Sequence, residues 1–266
     1  MYHSIGDANY WCEIHGTGEP LVLLHGFTGS CETWRSFIAD WQKDFKLVMV
    51  DLPGHGKTDA PHVMTMEEAC YDLHQLFSRL GLDTFHLLGY SMGGRTAISY
   101  AMYYPGKIKS LILESASPGL DTEEARKERR VKDENLADRI EKDGLERFVN
   151  FWENIPLFET QQRLPAEKKI AIREERLTQS KTGLSQSLRA MGTGSQPSWW
   201  KKLSDITIPV FLLAGALDPK FTDVSKRIYE HLPNSGLKII ANAGHAIHVE
   251  QPDIFGKIVK SFIFNT

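Results

Sequence analysis

The sequence predicts an α/β fold: a mostly parallel, twisted sheet flanked by helices and interrupted by a helical insertion. Three observations point there. Short apolar runs rich in β-formers alternate with helical patterns, which is the signature of a sheet covered on both faces. The pentapeptide Gly89-Tyr90-Ser91-Met92-Gly93 lies between the run Phe85-His86-Leu87-Leu88 and the helix-forming stretch that begins at Arg95. The alternation then lapses between Asp121 and Ser204, where the chain becomes charge-dense and helical.

Taken in order, the strand-like runs are Leu21 to Leu24, Leu47 to Val50, Phe85 to Leu88, Ser110 to Leu113, Val210 to Leu213 and Leu237 to Ile240. Between the second and third, Thr65-Met66-Glu67-Glu68 forms a capping box. Ala69, Leu73, Leu76, Phe77 and Leu80 then repeat at helical spacing until Gly81, so one helix fits this interval. In the interruption, Leu145, Phe148, Val149 and Trp152 fall at i, i+3, i+4 and i+7. Further helical patterns run around Ile170 to Leu177 and Leu184 to Met191. Their apolar faces need a partner surface. The expectation is a core of residues 1–120 and 205–266, with residues 121–204 forming a helical lid over the strand ends.

Composition narrows the function classes. With 266 residues, 41% of them hydrophobic, the chain can bury about three quarters of its unfolded surface. A formal net charge of −3 supplies no broad cationic face, so neither nucleic acid nor an anionic membrane is an expected partner. The opening residues lack a charged flank followed by an apolar core, and no apolar run reaches membrane-spanning length, so a cytoplasmic protein is expected. Cys12, Cys31 and Cys70 share no metal-ligand spacing. They read as packing thiols, with neither a metal nor a cofactor expected. Gly54-His55-Gly56-Lys57-Thr58 ends like a phosphate-binding loop, but Asp51 stands where its first glycine belongs.

The chemistry centres on Ser91. A serine on a sharp strand-to-helix turn has its hydroxyl held at the sheet edge above a helix N-terminus. It needs a base and a group to orient that base, both from strand-end loops. Asp218 follows the strand at 210–213, and His245 follows the strand at 237–240, giving the chain order Ser91, Asp218, His245. Glu114 competes as the acid, and His25, His55 and His248 compete as the base. Asp218 is preferred because its loop immediately precedes the histidine strand, and His248 is better read as a packed histidine. The N–H groups of Phe27, after the first strong strand, and of Met92 are placed to form an oxyanion hole. Arg95, one turn beyond Ser91, is a cation near the positive end of a helix dipole. Its compensation is either an anionic group of the substrate or a carboxylate of the protein.

His25-Gly26-Phe27, Asp51-Leu52-Pro53-Gly54-His55-Gly56, the serine turn, Asp218 and Gly244-His245 together resemble the α/β-hydrolase superfamily across nearly the whole chain. A narrower resemblance is carried by Gly89 to Arg95, Ser117-Pro118-Gly119-Leu120, Trp152-Glu153-Asn154-Ile155-Pro156-Leu157-Phe158 and Asp218-Pro219-Lys220-Phe221. These stretches are similar to the 2-succinyl-6-hydroxy-2,4-cyclohexadiene-1-carboxylate synthases of menaquinone biosynthesis. The resemblance implies a lyase on a hydrolase scaffold, which eliminates pyruvate from an enolpyruvyl cyclohexene bearing several carboxylates. It further implies that Ser91 is the base, kept activated by His245 and Asp218, and that Tyr90, Arg95, Arg129, Trp152 and Arg173 bind the substrate. The family often has a second aromatic residue after the tryptophan, where this chain has Glu153. Guanidinium groups suit a small-molecule polycarboxylate, although Arg129 and Arg173 also sit among charges typical of a solvated helix face. The alternative is a serine hydrolase of the same fold, a carboxylesterase or carbon–carbon bond hydrolase, which needs the same three residues. A binding protein of this fold without turnover is a third class.

Overall fold

The computed structural model describes residues 1–266. Eight strands form one sheet: β1 (Tyr2–Ile5), β2 (Ala8–His15), β3 (Glu19–Leu24), β4 (Phe45–Val50), β5 (Phe85–Tyr90), β6 (Ile108–Glu114), β7 (Val210–Gly215) and β8 (Ser235–Ile240). Their order across the sheet is β1-β2-β4-β3-β5-β6-β7-β8. The six strands from β3 to β8 pair in parallel, and they contain the six apolar runs read from the sequence. Strands β1 and β2 were not anticipated. They form an antiparallel hairpin with register Ile5↔Ala8, extended by β2 against β4. Gly6, at φ 53°, occupies the first of its two loop positions, as a tight hairpin requires. The alternation Ala8, Tyr10, Cys12, all buried, is interleaved with the less buried Asn9, Trp11 and Glu13, as in an antiparallel strand covered on one face.

Period-two geometry sorts the central strands between two cores. Val22, Leu24, Val48 and Val50 face the cluster that includes Leu73, Leu76 and Phe77 of α2 (Met66–Arg79) and Ile98 and Tyr100 of α3 (Met92–Tyr103). Leu21, Leu23, Leu47 and Met49 face the opposite cluster, with Phe37 and Trp41 of α1 (Arg35–Trp41) and Phe255 and Val259 of the C-terminal helix Pro252–Phe264. Because both faces are covered, these strands read as continuous apolar runs. The Thr65 capping box is formed: the Thr65 hydroxyl accepts from the Glu68 N–H, and the Glu68 carboxylate accepts from the Thr65 N–H.

Four helices occupy the interval between β6 and β7: α4 (Glu123–Asp143), α5 (Leu145–Trp152), α6 (Ala166–Leu177) and α7 (Lys181–Met191). Ala137, Ile140, Phe148, Val149, Leu184 and Leu188 give them a small core of their own, against which Phe27 and Trp152 pack. The remaining helices are α8 (Pro219–His231), α9 (Ile247–Glu250) and the C-terminal α10. No helix is long and apolar enough to cross a membrane. Cys12, Cys31 and Cys70 are buried free thiols, and burial pushes the Cys12 thiol up to about 12.

The loops that follow β3 and β4 are stitched together by polar groups. His25 Nε2 accepts the Leu52 N–H at 3.0 Å, and the Asp51 carboxylate accepts the N–H groups of Cys31 (2.6 Å) and Lys57 (2.7 Å). Burial lowers the His25 pKa, and burial with His25 nearby takes His55 down to about 3. Both imidazoles are therefore neutral in the folded protein at neutral pH and do structural work here. An unfolded chain takes up a proton at each near pH 6.5, so His55 should make stability fall as pH drops from about 6.5 toward 3, by up to about 1.4 kcal/mol per pH unit, and His25 acts in the same direction. Denaturant titrations at several pH values check this, and H55Q should show a shallower acid-side slope.

Candidate active site

Strand β5 ends at Tyr90, and α3 begins at Met92, leaving Ser91 as a one-residue turn at φ 49°, ψ −104°. That conformation is strained for a side-chain-bearing residue, by about 1–3 kcal/mol. Its neighbours are glycines because the backbones nearly touch: a Cβ on Gly89 would lie 2.4 Å from the Gly93 carbonyl oxygen, and one on Gly93 would lie 2.1 Å from that of Leu24. The turn is held by the Ser91 N–H donating to the Glu114 main-chain oxygen (2.9 Å) and by the Arg95 N–H donating to the Ser91 oxygen (3.0 Å).

The loops after β7 and β8 deliver the partners. His245 Nε2 lies 3.0 Å from Ser91 Oγ, and His245 Nδ1 lies 2.8 Å from Asp218 Oδ2. Asp218 is also the N-cap of α8, its Oδ1 accepting the Phe221 N–H at 3.1 Å. An ionised Asp218 assigns the proton of the neutral imidazole to Nδ1, which turns the Nε2 lone pair toward the serine hydroxyl. The N–H of Met92 at the first position of α3 has no partner in the preceding turn, and the N–H of Phe27 in the loop after β3 donates to no backbone group. Met92 follows Ser91 at the positive end of the α3 dipole, and Phe27 lines the same cavity.

The competing acid and base bond to each other. Glu114, fully buried, accepts the His248 main-chain N–H at 3.0 Å, and His248 Nδ1 lies 2.9 Å from its other oxygen. Neither side chain hydrogen-bonds to Ser91 or His245. The Tyr90 ring packs between the two histidines, its centroid 4.5 Å from His248 and 5.5 Å from His245. Burial and Glu114 push its phenol well above the ordinary tyrosine value, so it stays protonated.

Ser91 and His245 open into a cavity of about 280 Å³ whose lining also includes Tyr90, Arg95, Arg129, Trp152 and Lys220. No carboxylate of the protein forms an ion pair with Arg95, although Asp133 lies close enough to favour its charge. Arg95 Nη1 donates to the Met191 carbonyl (2.7 Å) and to Gln196 Oε1 (2.5 Å), both uncharged acceptors. Burial, with Arg129 close by, takes its pKa down to about 10, leaving it charged at neutral pH. Arg129 gives its Nε–H to Asp133 Oδ1 at 2.7 Å. Lys220, which the sequence reading quoted only within a matching stretch, makes no ion pair, and burial and Arg129 lower its pKa. Asp121 is the single acidic residue on the wall, and it is engaged by Arg227 at 2.5 Å. The cavity therefore carries more positive charge than the protein neutralises. Trp152 stacks on Phe148 (5.5 Å) and meets Phe27 edge-on (5.4 Å), and its indole N–H is buried with no acceptor.

Arg173 is a correction. It lies outside this cavity, donating to Glu153 Oε1 at 2.7 Å and Asn150 Oδ1 at 2.6 Å. The Glu153 that departs from the family pattern supplies the carboxylate that holds it away. The arginine that α6 turns inward is Arg176, three residues on: it is 6% exposed, its guanidinium lies 4.9 Å from the Phe158 ring centre, and it lines an adjoining cavity that shares Phe27, Tyr90 and Phe158 as its wall. Both arginines sit in a run of charges, and the polar pattern of α6 carried too little periodicity to tell them apart.

Comparisons with known proteins bear on this geometry. A family model described as the alpha/beta hydrolase fold matches residues 19–252. A Bacillus subtilis (strain 168) protein provisionally named 2-succinyl-6-hydroxy-2,4-cyclohexadiene-1-carboxylate synthase is 47% identical over 249 residues, covering 92% of this chain and 90% of that protein. A Salmonella agona (strain SL483) protein named as the same synthase is 31% identical, covering 90% of this chain and 92% of that one. The chain belongs to this synthase family, within the α/β hydrolases. The solved structure of MenH from S. aureus superposes with a TM-score of 0.92 at 36% identity, covering 96% of this chain and 98% of that one.

Anion affinity separates the cavity cations from the displaced arginine. Calorimetric titration with benzene-1,2,4-tricarboxylate should show R95A and K220M each weakening binding about tenfold, on the order of 1.4 kcal/mol, with R173A changing it less than about twofold.

Proposed function

We propose that this chain eliminates pyruvate from 2-succinyl-5-enolpyruvyl-6-hydroxy-3-cyclohexene-1-carboxylate, yielding 2-succinyl-6-hydroxy-2,4-cyclohexadiene-1-carboxylate in menaquinone biosynthesis. The observation that carries the reading is a hydrogen-bonded Ser91-His245-Asp218 relay opening into a cavity whose Arg95 and Lys220 have no carboxylate partner. Family membership supports it.

The substrate carries three carboxylates, and its most acidic ring proton sits on the carbon beside the succinyl ketone. Ser91 removes that proton as its own hydroxyl proton passes to His245 Nε2, and Asp218 stabilises the imidazolium that forms. The electron pair left on the ring carbon moves into the ring as a new double bond, the existing one shifts along, and the bond to the enolpyruvyl oxygen breaks. The released enolpyruvate takes a proton to become pyruvate. Negative charge reaching the ketone oxygen is met by the Phe27 and Met92 N–H groups. No acyl-enzyme forms. Arg95, Arg129 and Lys220 hold the carboxylates, with Tyr90 and Trp152 against the ring. Residues 121–204 serve as a lid over a core of residues 1–120 and 205–266, and its closure excludes the water that would favour hydrolysis. A soluble polycarboxylate is the partner, nucleic acid is not, and the site of action is the cytoplasm.

The second reading, a serine hydrolase, draws on the same relay, which is chemically competent for acyl transfer. Neutral esters give no role to unpaired cations in the cavity, and this ranks the lyase first.

Spectroscopic measurement of pyruvate release, run beside a p-nitrophenyl ester control, tests the reading. S91A should lower kcat at least about a hundredfold with KM nearly unchanged, as removal of general-base chemistry does. Fast ester turnover without pyruvate release would reverse the assignment. A pH series tests the cation set: Lys220 holds its charge below its lowered pKa and loses it above, so KM should begin to rise at a lower pH than an unperturbed lysine would give. K220R, charged throughout that range, should remove this rise.

A further inference from the structure

We infer that Glu250 is a positioning residue that ties the loop carrying His245 to the cavity wall carrying Phe158, so that alignment of the base depends on the seating of that wall. The inference rests on the assignment of His245 as the base partner of Ser91, whichever reaction follows.

Glu250 is the last residue of α9, and its two carboxylate oxygens serve two different segments. Oε2 accepts the Gly244 N–H at 2.9 Å, immediately before His245. Oε1 accepts the Thr160 hydroxyl, also at 2.9 Å. Thr160 belongs to the 3-10 helical segment Pro156–Arg163, between α5 and α6, whose Leu157 and Phe158 line the catalytic cavity. The Phe158 ring lies 6.1 Å from that of His245. One side chain thus joins the backbone beside the base to the insertion.

Gly244 is shaped for this bridge. Its φ lies outside the left-handed region, so its backbone does not call for glycine. What calls for it is space: a Cβ there would lie 2.2 Å from Thr160 Oγ1 and 3.0 Å from both Thr160 Cβ and Glu250 Oε1. A larger residue would separate the loop from the wall. On its other side the same loop is fixed to the sheet, because Glu114 accepts the His248 N–H while its own main-chain oxygen holds the Ser91 N–H. Glu114 therefore sets the His245 loop against the nucleophile, and Glu250 sets it against the insertion. Each hydrogen bond to a carboxylate contributes about 1.5–3 kcal/mol to stability. The reacting pair tolerates little movement: a displacement of about 1 Å can cost about a hundredfold in rate.

The test uses the full-length protein and reads kcat and KM for pyruvate release, the thermal midpoint, and the low-field NMR resonance of the His245 Nδ1 proton. E250A should lower kcat about tenfold, with KM within about twofold and the His245 resonance shifted or broadened. E250Q, whose amide oxygen can accept from Gly244 while its nitrogen donates to Thr160, should recover most of the rate. T160V, which cuts only the link to the wall and leaves the Gly244 bond intact, should lower kcat by about threefold or more. G244A should behave like E250A, and adding T160G should relieve the clash but not replace the lost link, bringing kcat back only to the level of T160V. Wild-type kcat and an unmoved His245 resonance in both E250A and T160V would overturn the inference. So would equal losses in E250A and E250Q accompanied by a lowered thermal midpoint, the mark of a purely structural role. If the unaltered protein releases no pyruvate, the proposed reaction fails, and the resonance in E250A and T160V still decides the positioning role.

Discussion

The left-handed conformation of Ser91 is the constraint around which the site is organised. A serine in this region costs about 1–3 kcal/mol, and the cost is borne because β5, the turn and α3 are packed so closely that glycine alone fits at positions 89 and 93. The same close packing fixes the Ser91 hydroxyl relative to three strand-end loops at once. Those loops carry Phe27, Asp218 and His245, and their positions follow from parallel pairing of β3, β5, β6, β7 and β8. Parallel strands place all their carboxyl ends on one edge, so residues far apart in the chain converge there without any local sequence signal linking them.

Charge is the second organising fact. Taking a cation out of water is unfavourable unless it is paired, yet the part-buried Arg95 donates to uncharged oxygens, and Lys220 on the cavity wall forms no ion pair. Arg129 lowers the pKa of both, so it repels each of them, while Asp133 offsets this at Arg95 and Asp218 at Lys220. In the reaction proposed above, the substrate carboxylates relieve that repulsion, which is how the cavity would select for an anion. Arg173 and Arg227 show the ordinary alternative, in which a carboxylate of the protein cancels each guanidinium.

Legibility in the sequence followed the range of the interaction. The Thr65 box, the glycines around Ser91 and the apolar runs of β3 to β8 are governed by neighbours a few residues away, and each was readable. The β1–β2 hairpin was missed because an edge pair with one solvated face mixes polar residues into its pattern. Glu114 and His248 could each be suspected of catalysis from position alone, and only their mutual hydrogen bond removes them. Arg173 and Arg176 are separated by less than a helical turn, and the choice between them was made by Glu153 and Phe158, which lie on other segments.

By itself the sequence determined the α/β architecture, the strained serine and the chain order Ser91, Asp218, His245, because backbone conformation and hydrophobic periodicity are local properties of the chain. Tertiary structure alone decided which charges stay unpaired in the cavity, which arginine of α6 faces inward, and that Glu250 joins the base loop to the insertion. Electrostatic pairing and hydrogen bonding across space depend on distances between segments that the linear order of residues does not contain.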